Sequence, residues 1–267
     1  MRAIANSRMY SITDSAAAAW DQLFAKVIDR SGVPLALMAY PPPGALANLW
    51  SRGDLGCVFM CGWPFMREGG TKTVLAAPVP DADWAKNRPQ YRSEFIVRAD
   101  SPFVRLEDAF GHRFAFNSRD SHSGTNAPRA HLATFFAGKP LFSEVIGPLV
   151  THQRVVGAVA DGEADLAAID SYSLLLLRRH DPALVSGIRS LGFTAPCPIP
   201  ALMANALSDE AAQALRGALL ALDGDAEGRP LLDAVCLRRF AEVDPVDYTA
   251  TMSMERSAVQ AGYPDIV

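Results

Sequence analysis

The chain has 267 residues, 49% hydrophobic and 20% charged, and 25 Lys and Arg against 29 Asp and Glu give a formal net charge of −4. This is enough apolar material for a sizeable core in one large or two small domains. The composition excludes a basic nucleic-acid face, since no Lys/Arg-rich run occurs. It also excludes a membrane span, since no uncharged apolar stretch approaches the roughly 18–20 residues that a bilayer requires.

The first residues, Met1-Arg2-Ala3-Ile4-Ala5-Asn6, carry a basic group, but no apolar run or small-residue cleavage site comes after them. The sequence as read therefore predicts a cytoplasmic protein, or a periplasmic one if an export signal has been removed. Trp20, Leu23, Phe24, Val27 and Ile28 recur at helical spacing after Thr13-Asp14-Ser15 and before Gly32 and Pro34, which predicts a capped, core-facing helix. Strands are expected at 35–39, 55–60 and 73–77, with a short helix at 44–51 between the first two. Cys57 and Cys61 lie on the strand running into the turn Cys61-Gly62-Trp63-Pro64. Their Cα atoms would be about 13 Å apart by strand rise, too far for a disulfide, so both are read as buried small hydrophobes.

From Arg92 the pattern restarts, with strands expected at 94–97, 113–117, 145–150 and 165–169. Helices are expected at 125–137, where Pro128 fits only the first turn, and at 154–160 and 172–179. Extended segments at 188–191 and 199–203 precede a remainder that reads as mostly helical: 209–222, 226–235 and 245–261. Strands alternating with helices predict an α/β fold of parallel-type sheets with helices on both faces. Proline-flanked extended segments at 78–92 and 193–200 mark two crossings. These predict a discontinuous first lobe, 1–85 plus 197–267, and an inserted second lobe, 86–196, with a ligand cleft between them.

The segment Asn117-Ser118-Arg119-Asp120-Ser121-His122-Ser123-Gly124-Thr125-Asn126 leads from a strand through a polar turn into a helix. Helix-start N–H groups, the hydroxyls of Ser121, Ser123 and Thr125, and the small Gly124 could together receive a tetrahedral oxyanion. An ordinary Ser/Thr N-cap is the plainer reading. His152 comes after a strand end at Val150-Thr151, and Asp170 ends another; ligand contact and a plain helix cap are the alternatives for Asp170. Tyr10, Trp63 and Tyr91 stand near strand ends, as ligand-facing or simply packed aromatics.

Ser123, His152 and Asp170 could be cast as a hydrolytic triad, but no G-x-S-x-G elbow is present. The five histidines form no metal-ligand spacing, and neither a Rossmann nor a P-loop fingerprint occurs. No catalytic residue, metal or cofactor is expected.

Several stretches, in order, resemble a known family. These are Tyr91–Val97, Leu106-Glu107-Asp108-Ala109-Phe110-Gly111-His112-Arg113, the S-x-S-G run Ser121-His122-Ser123-Gly124, Thr151-His152, the run from Ala158 to Asp170, and Pro196–Pro200. Together they are similar to the phosphate/phosphonate-type substrate-binding components of ABC importers, in the type 2 periplasmic binding protein fold. The resemblance implies a two-lobed, Venus-flytrap binder of a small phosphate- or phosphonate-like anion, non-enzymatic, monomeric and serving an ABC permease. It implies that Ser121, His122, Ser123 and His152 hold the phosphoryl oxygens, with Gly124 and Thr125 supplying N–H groups. Tyr10, Cys61, Gly62, Trp63, Tyr91 and Asp170 would face the rest of the ligand. A cytoplasmic ligand sensor, or an enzyme on the same fold resembling thiamine-pyrimidine biosynthesis proteins, is the alternative.

Overall fold

The computed structural model describes residues 2–267. The chain divides into two compact units, the first running up to Gln90 and resuming at Pro198–Asp247, the second comprising Tyr91–Cys197 and Tyr248–Val267. The crossing segments Gln90–Tyr91 and Cys197–Pro198 pair as a two-stranded sheet. Among the described residues no helix is long and apolar enough to cross a membrane.

In the first unit, six strands lie in the order Leu237–Ala241, Thr73–Pro80, Ala201–Ala204, Leu55–Met60, Ile4–Asn6, Ala36–Leu37. Ile4–Asn6 runs parallel to both Ala36–Leu37 and Leu55–Met60, as expected for strands joined through helices. The strands that complete the sheet, Ala201–Ala204 and Leu237–Ala241, pair antiparallel. The sheet is therefore mixed rather than parallel throughout.

The long helix Asp14–Ser31 starts where Thr13 Oγ1 accepts the N–H of Ala16 and ends at Gly32 in the left-handed region at φ 68°. It buries Trp20, Leu23, Phe24 and Val27. Trp20 and Phe24 meet Phe59 of the central strand, with Trp20 and Phe59 edge-to-face at 4.9 Å.

Two local expectations change here. The strand expected to stop at Ala77 continues to Pro80. Its ladder with Ala201–Ala204 ends at Ala76, so Pro78 and Pro80 lie where that side of the strand is unpaired and a missing N–H is tolerated. Leu237–Ala241, which falls between the expected helices 226–235 and 245–261 and for which the sequence predicts no element, is a strand because Thr73–Pro80 offers it a partner.

The second unit has five strands in the order Ile188–Phe193, Ser93–Arg98, Leu166–Asp170, Arg113–Ala115, Glu144–Ile146. The last three are mutually parallel, and the first two join antiparallel. Phe95, Val97, Phe114, Phe116, Leu132, Phe142, Leu166 and Ala168 form its core. Ala258 of the helix Thr249–Gln260 joins them, with Tyr263 and Ile266 from the C-terminal residues beyond that helix.

That last contribution corrects the expected domain boundaries. Residues 248–267 belong with the inserted unit, not with the first lobe. The apolar side chains of the segment fill the second core, and Val267 O accepts the Leu141 N–H at 2.7 Å.

Candidate functional site

Three parallel strands of the second unit share an edge at their carboxyl ends, the usual ligand side of an open α/β sheet. Ser93, the first residue of its antiparallel strand, pairs with Asp170 at that edge. The connections leaving it carry the turn 121–126, His152, and the start of the helix Ser171–His180.

The turn does not begin the long helix expected from Thr125. His122–Asn126 is a single π-type turn, and the next α-helix, Ala127–Leu132, has six residues with Pro128 at its start. A helix this short has little macrodipole, so an anion here would meet individual donors. Ser121 caps the turn, its Oγ accepting the Gly124 N–H at 3.0 Å. A Cβ on Gly124 would stand 1.9 Å from Asn117 Oδ1 and 3.2 Å from Ser121 Oγ, so space and not backbone angle demands glycine. Thr125 Oγ1 donates to Ser118 O at 2.7 Å, which commits the hydroxyl to the turn itself.

Ser123 and His152 come together. Ser123 Oγ lies 3.4 Å from His152 Nε2, and Ser93 Oγ donates to Ser123 O at 2.8 Å, fixing the serine from below. His152 opens the helix His152–Ala160, with Thr151 as cap accepting the Arg154 N–H. Val150, just before it, adopts φ 71°, a costly conformation for a β-branched residue. His152 Nδ1 is buried with no hydrogen-bond partner, and burial lowers the imidazole pKa to about 4, so the ring is neutral at pH 7.

His122 is elsewhere in purpose, contrary to its expected phosphoryl contact. Its side chain is fully buried and both ring nitrogens have protein partners. Asn126 Oδ1 accepts from Arg129 Nη2 at 2.7 Å, and Asn126 Nδ2 donates to Thr251 O at 2.9 Å and to His122 Nδ1 at 3.0 Å. With Nδ1 accepting, Nε2 carries the proton, and it faces Cys197 Sγ at 3.2 Å. Burial, aided by the Arg129 charge, brings the His122 pKa down to about 3.

Asp170 is an N-cap, its Oδ1 accepting the N–H groups of Tyr172 and Ser173 at 2.7 and 2.9 Å. Tyr91 is buried, with its ring 6.2 Å from that of His122. The Ser123–His152 pair does not extend to a triad, because His152 Nδ1, the far side of the ring, has no hydrogen-bond partner.

The remaining expected contacts lie in the first unit, at the carboxyl ends of its own parallel strands. Tyr10 is fully buried and packs edge-to-face on Phe59 at 4.9 Å. Cys61, Gly62 and Trp63 are buried, but they form no open turn: Cys61 is the N-cap of a short helix, Gly62–Arg67, and Arg67 lies over the Trp63 ring at 5.1 Å. Cys57 and Cys61 are free thiols, and burial pushes that of Cys57 up to about 12.

Sequence reasoning missed Ser93 and Asn126. Ser93 is marked only by standing at the start of a strand. Asn126 lies in the polar turn, but nothing in its immediate neighbours marks it as the hub of a network.

No curated protein is significantly similar to this chain. Among solved structures, a binding protein component of an ABC phosphonate transporter from Pseudomonas aeruginosa superposes with TM-score 0.81 at 17% identity, over 98% of this chain and 88% of that one. PhnD1 from Prochlorococcus marinus, in complex with methylphosphonate, gives TM-score 0.80 at 17% identity, over 97% and 98%. At these identities the likeness establishes the fold, that of type 2 periplasmic binding proteins. A model of the periplasmic substrate-binding proteins of phosphonate ABC transporters matches residues 11–248, and the chain belongs to that family.

Proposed function

We propose that this chain binds a small phosphonate- or phosphate-like oxyanion at the carboxyl edge of its second sheet and delivers it, without catalysis, to an ABC permease. The observation that carries the reading is the Ser123–His152 pair, a hydroxyl and a neutral imidazole side by side at a strand-end edge. Both can donate to phosphoryl oxygens, and neither brings a fixed negative charge. Ser121 and Thr125 contribute by holding the turn, as their hydroxyls already have backbone partners. Tyr91, packed beside His122 in the same unit, is proposed to shape the space for the organic part of the ligand.

Methylphosphonate titration of the Ser123→Ala variant tests the reading. A hydrogen bond to a charged group contributes about 1.5–3 kcal/mol, so Kd should rise roughly 10- to 150-fold. Stability should change by less than about 1 kcal/mol, since Ser121 and not Ser123 caps the turn. An unchanged Kd for methylphosphonate would remove the support for this site.

The proposed compartment is the periplasm, as for the family, in place of the cytoplasm expected from the first residues alone. Osmotic-shock fractionation of cells expressing the native gene should release the protein with the periplasmic contents. Recovery only with the cytosol would favour the sensor alternative.

A further inference from the structure

The turn 121–126 is thinly held by its own backbone. It closes through Asn126 N–H to Ser121 O at 3.1 Å and Ala127 N–H to His122 O, one wide turn with few bonds of its own. Its shape therefore depends on what its side chains grip. The deepest grip is that of His122, fully buried between Ser121 and Ser123 in the sequence.

The partners of this grip stand where the second unit begins and ends. The chain enters that unit at Tyr91, leaves it after Cys197 and returns at Tyr248. His122 Nε2 faces Cys197 Sγ at 3.2 Å, and the ring lies 6.2 Å from that of Tyr91. Asn126 Nδ2 donates to His122 Nδ1 at 3.0 Å and to Thr251 O at 2.9 Å, and Thr251 Oγ1 donates to Tyr248 O at 2.7 Å. Each of these contacts is internal to the second unit, and together they tie one turn to all three of its borders.

A satisfied core histidine is the plainer reading, since both ring nitrogens have partners. The next residue takes the matter further. Ser123 Oγ lies 3.4 Å from His152 Nε2, and the Ser123 carbonyl is held by Ser93 Oγ at 2.8 Å. An imidazole fixed at both nitrogens on one side, and a carbonyl fixed on the other, leave the peptide between them little room to rotate. The Ser123 hydroxyl thus keeps its place beside His152. A hydroxyl free to turn would have to be ordered when a ligand arrives, and that ordering weakens binding.

We propose that His122 is a positioning residue: clamped to Cys197 and Asn126, it presents the Ser123 hydroxyl to the bound oxyanion without touching the oxyanion itself. The inference rests on the phosphonate reading above for what Ser123 binds.

A double-mutant cycle on the intact chain, read by methylphosphonate titration, tests it. His122→Asn keeps an acceptor for Asn126 Nδ2 but is too short to reach Cys197, and Kd should rise about 3- to 30-fold. In the Ser123→Ala background the same change should move Kd by less than about 2-fold, because the hydroxyl it places is gone. A purely structural histidine predicts lower thermal stability with Kd unchanged. Cys197→Ala runs the same cycle from the other end of the contact with the imidazole intact, so the test stands if His122→Asn folds poorly. Cys197→Ser, which restores an acceptor for Nε2, should recover most of the affinity. A Kd unchanged by these substitutions, or raised by the same factor with Ser123 and without it, overturns the inference and leaves the phosphonate reading in place. A Ser123→Ala variant that binds methylphosphonate as the wild type does, or a wild type that does not bind it, overturns both.

Discussion

Replacing Asn126 by Ala is expected to destabilise the protein by about 3–5 kcal/mol, near the upper end for a single substitution. The amide is fully buried and serves three partners at once. It accepts from Arg129 and donates to Thr251 O and His122 Nδ1. Truncation removes all three bonds and leaves buried polar groups to be satisfied without it, which costs more than the bonds' net worth. Arg129 retains its bond to Pro264 O. Because Thr251 and Pro264 lie in the segment 248–267, the loss should appear as weaker docking of that segment on the second core. Urea unfolding measures it, and hydrogen exchange in Thr249–Gln260 locates it. Asn126→Asp is a sharper control, since it keeps the shape and the acceptor for Arg129 but presents no donor to Thr251 O. A cost below about 1 kcal/mol for Asn126→Ala would mean that the network is incidental.

How the sequence relates to this architecture depends on the distance over which each element is decided. The helix Asp14–Ser31 carries its own start, its own stop and its own periodicity, so Thr13, Gly32 and the Trp20–Val27 stripe define it locally. Leu55–Met60, buried at every residue, is legible as a continuous apolar run. Leu237–Ala241 is not, because Leu-Arg-Arg-Phe-Ala has no clean alternation and becomes a strand through partners more than 150 positions earlier. The same rule governs the site. Its edge is legible, since Ser123, His152 and Asp170 all stand at or just past strand ends. The roles are not: His122 is drawn inward by Cys197, 75 residues away, and by Asn126 beside it. Arg8 shows the reverse case, a side chain whose unpartnered Nε is visible only once its surroundings are assembled.

Two buried histidines also make the protein acid-sensitive well above the range in which its carboxylates titrate. Burial holds His122 near a pKa of about 3 and His152 near about 4, against about 6.5 in an unfolded chain. The folded state therefore excludes protons that the unfolded state takes up. Their contribution is fully present above pH 6.5 and is lost as pH falls toward the folded values. Each group contributes a slope of about 1.4 kcal/mol per pH unit in that window. His122, wholly enclosed, should carry about 2 kcal/mol between pH 7.5 and 5, and His152, which keeps an exposed edge, somewhat less, for about 3–4 kcal/mol together. His131 is shifted in the same direction by burial and adds to the trend. Asp165 and Asp54, held low by Arg113 and Arg52, act only at more acid pH. Urea unfolding at half-unit steps from pH 7.5 to 5 should track this slope, and His152→Gln should remove its smaller share while leaving that of His122. Added methylphosphonate should flatten the His152 part, because a bound oxyanion favours the protonated imidazole and lifts its folded pKa toward the unfolded one. Stability that stays level across the window would show that these rings exchange protons with solvent in the folded state, and the neutral His152 on which the proposed site depends would have to be given up.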